Sequence, residues 1–224
     1  MTEGGAPAIE ARSLYRFFRA GEEETLALQG VSLRMNAGEF VAVVGPSGSG
    51  KSTLLACLAG TDEPDGGTVR IGGRRLSHQS EPERARMRAQ NVGLLFQSGN
   101  LLGHLTLAQN ISLARKLVRG TRRLTLAELL APLGIASRAH AYPHQLSGGE
   151  LARAGLAVAL ANDPIVLLAD EPTGELDLST EHDVLQALLL RAHVGVAVLV
   201  ASHSPAVAAA ADRVITLADG RVAA

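Results

Sequence analysis

The run FVAVVG, Phe40 to Gly45, is almost continuously apolar and leads into a glycine-rich segment. That is the pattern of a strand covered on both faces, and here it predicts a turn into a helix beginning near Lys51. Two further buried-strand patterns occur downstream, IVLLAD from Ile165 to Asp170 and VAVLVAS from Val196 to Ser202. Upstream, AIEARSLYRFF and ALQGVSLRMNAGE alternate only in part and predict shorter strands of a small antiparallel sheet. TDEPDGGTVRIGG adds a turn and one more short strand, and VITLADGRV near the end reads as a closing hairpin.

Between Thr106 and Gly134 the period changes. TLAQNISLARKLVRG and TLAELLAPLG repeat as helices do, and Thr125 with Glu128 three residues later has the form of a capping box. A further helix is expected after the LSGGE turn, Leu146 to Glu150. Strands separated by helical stretches favour a largely parallel sheet. The expected class is therefore α/β: a phosphate-loop core with a mostly parallel sheet, an N-terminal antiparallel β subdomain and an inserted α-helical subdomain. The whole chain is expected to form one nucleotide-binding domain, with the core at about 1–96 and 160–224 and the helical part at about 97–159.

Composition changes this picture little. Hydrophobic residues are 46% of the chain and aromatics only 3%, so the core must be built from Leu, Val, Ala and Ile. The formal charge is −1, without the basic excess of a protein that wraps nucleic acid, so no nucleic-acid partner is expected. Local clusters do exist: Arg84, Arg86 and Arg88, then Arg115, Lys116, Arg119, Arg122 and Arg123. These read first as solvated faces and second as contacts with a partner or with anionic lipid headgroups. Cys57, the one cysteine, lies in the apolar run LLACLAG and reads as a small buried thiol. The first residues lack a basic stretch followed by an apolar one, and no run reaches 18 consecutive apolar residues. A cytosolic chain is expected, with any membrane association made through a partner.

The chemistry begins at GPSGSGKST, Gly45 to Thr53, which satisfies G-x-x-x-x-G-K-[ST] between a strand and a helix. Glycines at Gly45, Gly48 and Gly50 let successive amides turn toward one point, and Pro46, Ser47 and Ser49 complete the loop. Lys51 is placed to reach the β- and γ-phosphates, Ser52 to ligate Mg2+, and Thr53 to add a phosphate contact or cap the turn. Asp170 and Glu171 follow the second buried strand, on the sheet edge that the phosphate loop shares. Asp170 suits the Mg2+ shell, and Glu171 suits orienting or deprotonating an attacking water.

The order GPSGSGKST, Gln97 in LLFQ, LSGGE, LLADEP, GELD and His203 in VASHS resembles the ATP-binding subunits of ABC transporters. The resemblance runs from about Ile9 to Val222. It implies ATP as substrate, Mg2+, and a head-to-tail homodimer or heterodimer. Ser147, Gly148 and Gly149 of one subunit would then contact the ATP held by the other. It implies that Gln97 senses Mg2+ and the γ-phosphate, that Asp177 crosses the dimer contact, and that His203 holds the γ-phosphate and the attacking water. An aromatic platform for adenine is implied near SLYRFF. Strand alternation favours Phe18, with Phe17 and Tyr15 as alternatives. The sequence departs from the family's commonest forms at Glu150, Leu151, Ala152, Val158, Glu175, Ser202 and Ser204, and Arg153 is kept.

The resemblance further implies an ATPase that works on a membrane permease docked between the core and the helical part, at the inner face of the membrane. The segment LLFQSGNLLGHLTLAQNI is most like the lipoprotein-releasing, macrolide-exporting and cell-division subfamily, although Gln109 stands where Glu is common. Three functions remain open on the sequence: driving export or extraction, transmitting force to an extracytoplasmic enzyme without transport, and soluble ATPase work away from membranes.

Overall fold

The computed structural model describes residues 6–20, 23–118, 124–174 and 176–223. Two sheets share one molecule. In the first, β1 (Ile9–Ala20) pairs antiparallel with β2 (Glu23–Met35) on one side and β4 (Gly66–Ile71) on the other, and β5 (Arg74–Arg75) closes the edge. At 12 and 13 residues, β1 and β2 are longer than the broken alternation suggests. The pairing of β1 with β2 shifts register between Ala11 and Leu14, between Leu14 and Tyr15 and between Arg16 and Phe17, and Ser13 has φ +49°. Each bulge resets which face a side chain takes, so the pattern looks interrupted where the strand is not.

The second sheet has the order β10-β9-β3-β8-β7-β6. Its strands are β3 (Phe40–Val44), β6 (Val92–Leu95), β7 (Val166–Asp170), β8 (Ala197–Ala201), β9 (Arg213–Ala218) and β10 (Arg221–Val222). All neighbours run parallel except the terminal β9–β10 hairpin. Every residue of β8 is buried, as are Phe40–Val43 and Val166–Ala169, because helices cover both faces. On one face, α1 (Lys51–Ala59) places Leu54, Leu55 and Leu58 against Val41, Val43, Leu168 and Leu199. On the other lie α5 (Gly148–Ala159) and α6 (Leu178–His193), with Leu156, Val184 and Leu188 clustered around Leu167, Val198 and Val200.

Four further α-helices lie among the described residues: α2 (Glu81–Asn91), α3 (Leu107–Lys116), α4 (Leu126–Leu130) and α7 (Pro205–Ala210). The Thr125–Glu128 capping box forms, and equivalent boxes start α2 at Ser80 and α3 at Thr106. Each such cap stabilises its helix by about 1 kcal/mol. The apolar sides of α3 and α4, through Leu107, Ile111, Leu129 and Leu130, join the same cluster as α5 and the sheet. Cys57 is buried and its thiol is pushed up to about 12 by burial first and by the nearby carboxylate of Asp62 second. Arg119, Arg122, Arg123 and Glu175 lie outside the described residues.

Candidate nucleotide site

The parallel register decides what meets at the site. Phe40 to Val43 of β3 run beside Val198 to Ala201 of β8, and Asp170 of β7 is opposite Ala201. The carboxyl ends of three adjacent strands therefore stop at one edge, where the loop after β3 meets the residues after β7 and β8.

The loop is shaped by its glycines. Gly45, Gly48 and Gly50 have φ of +154°, +78° and +102°. A Cβ on Gly45 would strike the Leu217 carbonyl oxygen, and one on Gly50 the Ala27 carbonyl oxygen, so β2 and β9 leave room there only for glycine. The α1 N-terminus begins at Gly50 without a side-chain cap and without an acid in its first turn. No side chain among the described residues caps its first amides, an arrangement that favours an anion. Lys51 folds back so that Nζ donates to the carbonyls of Gly45 at 2.8 Å and Pro46 at 3.1 Å. Ser49 Oγ is buried and has no hydrogen-bond partner among the described residues.

Around this loop opens a cleft of about 720 Å³. It is lined by Gly45, Pro46, Ser47, Gly48, Gly50, Lys51, Ser52 and Thr53, and across from them by Gln97, Asp170, Glu171 and His203. Phe18 also lines it, while Tyr15 and Phe17 do not. One face of the Phe18 ring is covered by the Arg16 guanidinium at 4.7 Å, which Asp62 and Asp65 hold in place. The cleft thus has an anion-binding floor, two carboxylates and an aromatic wall, which fits a nucleoside triphosphate with a divalent cation.

Glu171 is the most constrained of these side chains. Its backbone sits at φ +46°, a conformation that costs a residue with a Cβ about 1 kcal/mol or more. Its amide donates to the Ala201 carbonyl at 2.9 Å. Its Oε2 meets His203 Nδ1 at 3.0 Å and accepts from Ser202 Oγ at 3.2 Å and from the His203 amide at 3.4 Å. Ser202 is 1% exposed, and its oxygen also accepts from the Ser204 amide at 3.1 Å. Sequence reasoning registered Ser202 only as a departure beside His203. The register of β7 with β8, which no motif carries, is what sets it against Glu171.

Ser147, Gly148, Gly149 and Asp177 do not line this cleft. Ser147 caps α5, accepting from the Glu150 amide at 3.3 Å, and Glu150 in turn accepts from the Ser147 amide and from Arg138 Nε. Those two donors, the Ser147 amide first, hold the Glu150 carboxyl below the usual range. A Cβ on Gly149 would collide with Thr180 Cγ2, so this glycine lets α5 close on the start of α6. Asp177 caps α6, accepting from both the amides and the hydroxyls of Ser179 and Thr180. The Ser179 and Thr180 hydroxyls, then the Thr180 amide, hold its carboxyl far below the usual range. Ser147 and Gly148 are exposed, as is Leu178 beside Asp177, at 84%.

Known proteins share this sequence pattern and this fold. The profile of the family described as ABC transporter matches residues 28–174. The macrolide export ATP-binding/permease protein MacB of Burkholderia thailandensis is 42% identical over 219 residues, 96% of this chain and 34% of that protein. The Escherichia coli protein of the same name is 41% identical over the same shares. The chain thus spans about a third of the length of the curated relatives it matches. Among solved structures, the dimeric post-hydrolysis state of the ATP-binding cassette MJ0796 bound to ADP and Pi superposes with a TM-score of 0.86. That pair is 35% identical over 96% of this chain and 97% of that one.

Proposed function

This chain belongs to the ABC transporter family and is an ABC ATPase, and we propose that it is an energy-coupling subunit that closes head to tail on two Mg-ATP to drive a membrane permease. One observation supports this most: the cleft gathers Lys51, Gln97, Asp170, Glu171 and His203, while Ser147 and Gly148 lie exposed outside it. A second copy facing the first brings its LSGGE segment, the signature formed by Leu146 to Glu150, to the cleft that lacks one.

In this reading Lys51 leaves the Gly45 and Pro46 carbonyls for the β- and γ-phosphates, and the amides from Gly48 to Thr53 close around them. Phe18 stacks on adenine. Ser52 and Asp170, with Gln97, hold Mg2+, which when bound neutralises phosphate charge. Glu171, fixed by Ser202 and His203, takes the proton of the attacking water. His203 and the partner copy's signature residues steady the γ-phosphate, and Asp177 lies at the contact between copies.

The permease is proposed to dock in the groove of about 500 Å³ between α2 and β6 of the core and α3 and α5 of the helical part, where Leu117 is 69% exposed. The described residues contain no helix long and apolar enough to cross a membrane. Attachment to the membrane's inner face therefore runs through that partner in this reading. The likeness to macrolide exporters supports export as the direction of work. Ser147→Arg tests the arrangement in trans, because a bulky cation then occupies the place of the neighbour's phosphate. ATP binding to the monomer should persist and the ATP-dependent dimer should be lost. A variant that still dimerises with ATP in light scattering removes the signature from the opposing site.

A further inference from the structure

The chain carries a formal charge of −1, yet one part of its surface is strongly basic. A shallow hollow of about 420 Å³ between the β4–β5 hairpin and α2 is lined by Arg70, Arg74, Arg75 and Arg86. Glu83 is the only carboxylate among the described residues that lines it. Four guanidinium groups against one carboxylate leave three net positive charges.

Neighbouring arginines on the same helix are treated differently by the fold. Arg84 is held by Glu63 and Glu81, and Arg88 by Glu81 at 3.4 Å. Those pairs occupy Glu63 and Glu81, and Glu10, opposite Arg70 across β1 and β4, is paired with Arg12. Arg70, Arg74, Arg75 and Arg86 are all exposed, and none forms an ion pair among the described residues. Among the described residues Arg70 and Arg75 donate to the carbonyls of Gly73 and Ser77, which steadies them without an ion pair. The Glu83 carboxylate is occupied by the Ser80 amide and hydroxyl in the α2 capping box.

Place in the fold indicates the occupant. Arg86 lines both this hollow and the groove proposed above for the permease, so the two open side by side on α2. A protein gripped in that groove at a membrane carries the arginines beside the headgroup layer. We propose that Arg70, Arg74, Arg75 and Arg86 form an adsorption surface for the phosphate groups of anionic lipids, flanking the permease contact. The orientation, though not the charge, rests on the permease reading. Guanidinium forks suit phosphate oxygens, and an open hollow suits many headgroups rather than one buried ligand. Each arginine at an anionic membrane surface strengthens adsorption about five-fold, an effect that decays within a Debye length of about 8 Å at physiological salt.

The test is co-sedimentation of the full chain with vesicles of phosphatidylcholine, with and without phosphatidylglycerol, at low and at raised salt. Wild type should sediment with the anionic vesicles at low salt, leave them at high salt and ignore the neutral ones. Arg74→Gln with Arg75→Gln, both outside the permease groove, should bind at least about 25-fold more weakly. ATP binding and thermal unfolding should not change, since neither residue lines the nucleotide cleft or makes an ion pair. Equal binding of variant and wild type, equal binding to neutral vesicles, or tighter binding to a DNA duplex than to anionic vesicles would each overturn the proposal. Failure here leaves the ATPase and its permease standing. Loss of the permease with adsorption intact removes only the orientation.

Discussion

Ser202→Ala removes one buried oxygen and asks how much of hydrolysis depends on holding Glu171 still. The hydroxyl donates to Glu171 Oε2 at 3.2 Å, beside contacts from His203 Nδ1 and the His203 amide. A hydrogen bond to a charged acceptor contributes about 1.5–3 kcal/mol, and at this length the lower end is appropriate. If that much of the carboxylate's alignment is lost, the aligned population and kcat fall about ten-fold. KM for ATP should stay within about two-fold, because the phosphate loop and Phe18 are untouched. Ser202 also accepts from the Ser204 amide, which starts α7, so a separate control is needed. Ser202→Thr keeps the hydroxyl and should restore most of kcat. Ser204→Ala removes the α7 cap, lowering stability by about 1 kcal/mol while leaving kcat near wild type. The assay is steady-state phosphate release beside thermal unfolding. A Ser202→Ala protein with unchanged kcat refutes the positioning role, as does a Ser204→Ala protein that loses activity equally.

Lys51→Ala deletes the ammonium that the Gly45 and Pro46 carbonyls hold ready, and calorimetry should find tight Mg-ATP binding abolished. Near-normal affinity would remove the phosphate-loop assignment. Cys57, with its thiol pushed up to about 12, should react with a thiol reagent at pH 8 only as fast as the protein unfolds. Its folded value lies above the unfolded one of about 8.5, so its contribution to stability is complete below that pH and declines as pH rises toward 12. Rapid labelling of the native protein contradicts the burial.

Strands with both faces covered were legible because their patterns are local: FVAVVG, IVLLAD and VAVLVAS coincide with β3, β7 and β8 to within about two residues. The antiparallel sheet was harder, since the bulges in β1 break the alternation that would reveal it. The same slips mean that alternation alone is a weak guide to which aromatic of SLYRFF faces the cleft, although Phe18 does so. The α2 helix has few apolar residues and a charged exterior, so its period is too faint to reveal it in the sequence. The residues of the cleft could be recognised one motif at a time. What joins Ser202 to Glu171, Gly149 to Thr180 and Arg84 to Glu63 is tertiary register, and no single segment contains it.

The central claim is that Glu171 is the base of an ATPase that acts as a closed dimer, and Glu171→Gln tests it most directly. The change keeps size and most hydrogen bonding but removes the charge and the proton acceptor. Lys51, Ser52 and the loop amides are unaltered, so ATP still binds. With one fewer negative charge beside the γ-phosphate, the closed dimer is favoured. Size-exclusion chromatography with light scattering should find twice the monomer mass with Mg-ATP and the monomer with Mg-ADP, while phosphate release falls at least about 100-fold. Hydrolysis at the wild-type rate would contradict the role of Glu171 as base. A monomer in both nucleotides would contradict the closed dimer.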